Sequence, residues 1–194
     1  ARFLDTVMNL DAAKNSLAKA EPALASRSPM NTAAQKQYVA AQKLLLASET
    51  QMKAATLAAT TSKVTLAALQ KQLISVQLAA TSIEGSLAGA RGAAKALNDS
   101  TELAQAVARL DAAQKRIGSD LAGLQAKADT EQKVAVKTQE KLETAETTFV
   151  QATSQANKLK ARSEELATSV ANLTSQVKRA KLTIDESSDK VIKE

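Results

Sequence analysis

Apolar side chains return at every seventh position along almost the whole chain, and few folds accept such a pattern. Counting by sevens from Phe3 gives Leu10, Leu17 and Leu24, and the series continues to Ala94. A companion series three residues later passes through Ala13, Ala20, Ala34 and Ala41 on its way to Leu97. Together 23 of these 28 positions are apolar. A second tract starts at Leu103 with companions from Val107, and 21 of its 26 positions are apolar, against 44% for the chain. A repeat of seven sets about 3.5 residues per turn, which keeps one stripe facing a partner helix in a left-handed coiled coil.

Composition agrees. Ala, Leu, Lys, Gln, Glu, Ser and Thr dominate, and aromatics are only 2% of 194 residues. Large aromatics fill much of a globular core, so a thick core is not expected, and good helix formers prevail. The fold expected is all-α. The absence of Cys and His removes the thiolate and imidazole chemistry that most enzymes and metal sites use. No catalytic, cofactor-binding or metal-binding residue is assigned, and an enzyme is not expected. No apolar run is long enough to span a membrane as a helix.

The two tracts are nearly equal and meet near residue 98, which predicts an antiparallel hairpin over 1–194. Three of five glycines, Gly85, Gly89 and Gly92, cluster there, and 85–99 reads as a Gly-rich tip. Asn98 can end one helix and Asp99, with Glu102, can start the next. The register places residue i opposite roughly 197−i in an antiparallel coiled coil, with a turn near 95 as the alternative to one near 98. Pro22 and Pro29 interrupt the first arm. They predict a helix over 1–20, a break over 21–28 and a second helix over 29–84, with the first continuing in line. A third helix is expected over 100–192, with an interruption near 118–130. The paired arms would reach ~145 Å at ~1.5 Å per residue.

Charge is uneven. Residues 1–98 carry 11 Lys and Arg against 5 acids, while 99–194 carry 15 of each. Between Pro22 and Ile83 the only acid is Glu49, against Arg27, Lys36, Lys43, Lys53, Lys63 and Lys71. Such a stripe could meet nucleic acid or anionic lipid. Its wide spacing reads instead as a solvated face. The seam is poor around 57–66 and 131–138, where Leu57, Val64, Val134 and Val136 stand off it. These four are the candidate contact for a protein partner or a second copy. The other reading is a local rotation that turns Val134 and Val136 inward.

The organisation resembles the helical hairpins of bacterial periplasmic adaptor proteins, though the lipoyl-type β-segments that flank those are missing. Along its full length it is similar to the Ala-, Lys- and Gln-rich coiled-coil segments of large exported bacterial proteins. That resemblance implies a structural segment, a place outside the cytoplasm, and neighbouring modules. The start at Ala1 rather than Met fits a processed form or a piece of something larger. The function expected is a coiled-coil spacer or scaffold for protein–protein interaction or self-assembly. The alternative is a basic helical module on anionic lipid or nucleic acid.

Overall fold

The computed structural model describes residues 2–97 and 100–193. Helix α1 spans Arg2–Ala96 and helix α2 spans Thr101–Lys193. The two pack against each other as an antiparallel coiled-coil hairpin. Contacts divide it into two units. The first joins Ala1–Thr50 to Thr147–Glu194, and the second is Gln51–Glu146.

The heptad pattern governs what is buried. Among the described residues, all fourteen buried ones stand on the predicted seam. In the first unit they are only Ala and Ser: Ala13, Ala20, Ala34, Ala41 and Ser48 from α1, and Ala156, Ser163, Ala180 and Ser187 from α2. Small side chains let the backbones approach, so the seam closes over them. The larger members, such as Leu17, Leu45 and Leu166, reach past the seam's edges and are half-buried. The second unit buries Ala59, Ser62 and Ala128, with the larger Leu73 and Leu87. A buried serine is tolerable where its hydroxyl stays paired. Ser48 Oγ donates to the Leu45 carbonyl at 2.8 Å.

Leu87 is 3% exposed and Leu78, nine residues away, is 68% exposed. Leu87→Ala should therefore cost about 2–4 kcal/mol through lost burial and the cavity left behind. Leu78→Ala in the monomer should change stability by less than about 0.5 kcal/mol. Chemical denaturation followed by helix content compares the two. Equal losses would mean that the seam does not pass through Leu87.

Three expected boundaries are corrected. There is no break at 21–28: α1 runs through Pro22 and Pro29 as one helix. With the seam at heptad positions a (the Phe3 series) and d (the Ala13 series), both prolines occupy f, the position farthest from α2. Each proline removes the hydrogen bond to a carbonyl four residues earlier, at Ala18 and Ala25. Those residues and the prolines are exposed, so water can satisfy the carbonyls. The seam keeps its phase across the prolines, and packing overrides propensity.

The glycine cluster is not the tip. Gly85, Gly89 and Gly92 lie inside α1, and no described residue has positive φ. The reversal falls between the end of α1 at Ala96 and the start of α2 at Thr101, in agreement with a turn near 98. The interruption near 118–130 is also absent, because α2 carries Gly118 and Gly123 in its interior. Asn98 and Asp99, expected as caps, lie outside the described residues. Ser100 caps α2, accepting at Oγ from the Leu103 amide at 3.3 Å while its carbonyl accepts from Ala104 at 3.2 Å. That is an N-cap in geometry and residue type.

Candidate interaction surfaces

A two-helix coiled coil has no interior beyond its seam, so anything it meets must use its flanks or its backs. In α2 the a series starts at Val107 and the d series at Leu103. On each helix, e and b then lie to one side of the seam, g and c to the other, and f faces outward. In an antiparallel pair e meets e and g meets g.

The e flank carries ion pairs. Arg91 Nη2 meets Asp111 Oδ1 at 2.7 Å in one unit, and Lys181 Nζ meets Glu21 Oε1 at 2.8 Å in the other. All four residues occupy e. Both pairs are largely exposed, so they contribute little stability but favour one orientation and register. Sequence reading missed them, although the e positions, once the heptad is set, are where such pairs belong.

Polar groups interrupt the seam in each unit. In the first, Arg27 at d donates to Ser169 Oγ on the opposite helix. Asn31 at a has a buried Oδ1 without a hydrogen-bond partner. In the second, Ser62 Oγ donates to Glu131 Oε1 across the seam at 2.6 Å. This bond holds the poor stretch in phase. Ala59 and Ser62 are buried while Val134 and Val136 stay 41% and 48% exposed, so the helices do not rotate to bring the valines in.

The four candidate contact residues all lie in the second unit and all are exposed, Leu57 at 69% and Val64 at 64%. They do not share one face. Leu57 and Val64 are at f on the back of α1. Val136 is at b on the e side of α2, beside a groove lined by Lys63, Leu66 and Gln139. Val134 is at g, on the opposite flank. A second open groove, in the first unit, runs between Ala12, Ala13 and Ser16 of α1 and Gln176, Arg179 and Thr183 of α2. The first-unit groove is lined mainly by small and amide side chains, whereas the one beside Val136 also carries Lys63, Glu140 and Glu143.

The basic residues of α1 lie along its outer side but are widely spaced. Lys36, Lys43 and Lys71 are at f, Lys53 at b, Lys63 at e, and Arg27 is turned to Ser169. Among the described residues no group of three or more His, Cys, Asp or Glu is placed to hold a metal ion. Among the described residues no helix is long and apolar enough to cross a membrane.

No protein-family model matches the chain, and no curated protein does. Among solved structures it is similar to a coiled-coil segment of Smc from Pyrococcus yayanosii, with a TM-score of 0.72 and 13% identity. The likeness covers 98% of this chain and 83% of that segment. At that identity it is a likeness of fold: a long antiparallel coiled-coil hairpin, the architecture that the seam and the single reversal describe here.

Proposed function

We propose that this chain is a structural coiled-coil scaffold or spacer that engages a protein partner or further copies of itself. The observation that carries this reading is the confinement of burial to the seam. Among the described residues, all fourteen buried ones lie where α1 meets α2. What remains is two long outer surfaces, suited to setting distance and presenting contacts along a line.

The basic-module reading, on anionic lipid or nucleic acid, has less support. A lipid-surface helix shows a wide apolar face bordered by cations. Here Lys36, Lys43, Lys53, Lys63 and Lys71 follow one another only every seven to ten residues, too sparsely to border a continuous apolar face. The two readings separate in a binding assay at low and physiological salt. The scaffold should show no salt-sensitive binding to phosphatidylserine vesicles or duplex DNA. Binding that falls steeply with salt and is lost when Lys36, Lys43, Lys53, Lys63 and Lys71 become Gln would overturn it.

A further inference from the structure

The backs of the two helices in the second unit are complementary to each other. On α1 the b and f positions from residue 53 to 78 carry Leu57, Val64, Ile74 and Leu78, which are 58–69% exposed. Lys53 and Lys71 share that face, and α1 has no acid between Glu49 and Glu84. On α2 the same positions carry Asp129, Glu140 and Glu143, with Val136 and the exposed Ala122 and Ala126. Asp129 and Glu143 accept from Gln125 and Gln139 of their own helix at 2.8 and 3.1 Å.

Resting on the scaffold reading, we propose that a second copy docks side by side, with the back of α1 in one copy against the back of α2 in the next. With the helices antiparallel and residue i facing about 200−i, every f position meets a b position, so the heptad phase holds throughout. Val64 then faces Val136, and Lys71 faces Asp129. Ile74 and Leu78 fall on Ala126 and Ala122, large side chains on small ones. Lys53, opposite Thr147, comes within one turn of Glu143, which itself faces Leu57. Lys133 meets Ala67, over which its stem can lie while the ammonium stays in water. Pairing two α1 backs would set lysine rows together without acids, so the contact joins unlike faces. Such a contact does not close into a dimer, and each copy retains one unused back at either end of the row. One helix against one helix is a small interface, so the association is weak and depends on concentration.

The test uses two variants altered only at exposed positions. Val64→Glu with Leu78→Glu sets acids against the acidic back of α2. Ala122→Lys with Val136→Lys sets lysines against the basic back of α1. In sedimentation equilibrium the wild-type average mass should rise with concentration without a plateau at two copies. Each variant alone should stay monomeric with helix content unchanged. Their equimolar mixture should regain the rise, because both junctions are then complementary. A wild-type monomer at the highest soluble concentration, or a mixture that stays monomeric, overturns the proposal. Self-docking can fail while the scaffold reading stands, because that reading falls only to salt-sensitive vesicle or DNA binding, a separate measurement.

Discussion

Replacing Pro22 and Pro29 by Ala should raise the stability of the first unit by about 2–3 kcal/mol at each site. A proline inside a helix costs about 3 kcal/mol relative to Ala through its missing N–H and the clash of its ring with the preceding turn. Here α1 is helical on both sides of each proline, and both sit at the outermost heptad position, exposed. Alanine therefore restores two backbone hydrogen bonds without touching the seam. Part of the gain is returned because proline also stiffens the unfolded chain. Thermal unfolding followed by helix content measures the shift, and urea unfolding gives the free energy. If the chain instead broke over 21–28, with Pro29 opening a new helix after Ser28, Pro29→Ala would remove a favourable first-turn residue. Stability would then stay level or fall. Single variants keep the two prolines distinguishable.

The proline result also marks how far the sequence was readable. The seam was legible residue by residue, since a repeat of seven leaves one face to bury and every buried side chain lies on it. The reversal near residue 98 was legible from the symmetry of the two tracts. The breaks at 21–28 and 118–130, and the Gly-rich tip over 85–99, were misread for one reason. Proline and glycine report local backbone preference, and local preference yields where a long seam holds the helix in phase from both sides. What distinguishes tolerated breakers is their place in the heptad, with Pro22, Pro29, Gly85 and Gly92 at f, Gly89 and Gly123 at c, and Gly118 at e. The candidate contact was legible as four exposed apolar side chains. Their separation onto different faces emerges only when both helices are assigned their heptad positions. Counting along one chain places Val134 and Val136 together, although helical rotation puts them on opposite flanks. The ion pairs Arg91–Asp111 and Glu21–Lys181 stayed hidden because a cross-helix partner depends on the register, which the sequence left open between two turns.

The glycines of the second unit lead to an equally large effect in the same direction. Gly85, Gly89, Gly92, Gly118 and Gly123 all lie in helix interiors and are exposed, and a Cβ added at any of them meets nothing within 4 Å. None adopts the positive φ that would require glycine. Each then costs about 0.5–1 kcal/mol relative to Ala, because glycine loses more backbone freedom on folding. Replacing all five should stabilise the second unit by roughly 2.5–5 kcal/mol if the sites act independently, as well-separated exposed positions usually do. Denaturant midpoints for the five single variants and the combined one measure the sum. Hydrogen exchange at the amides around 85–92 should slow in parallel, since local opening there becomes costlier. The sign decides between two architectures. Glycines that formed the turn would need backbone conformations closed to alanine, and the combined variant would lose stability. A gain means that the helix continues to Ala96 and the reversal is confined to the few residues before Thr101.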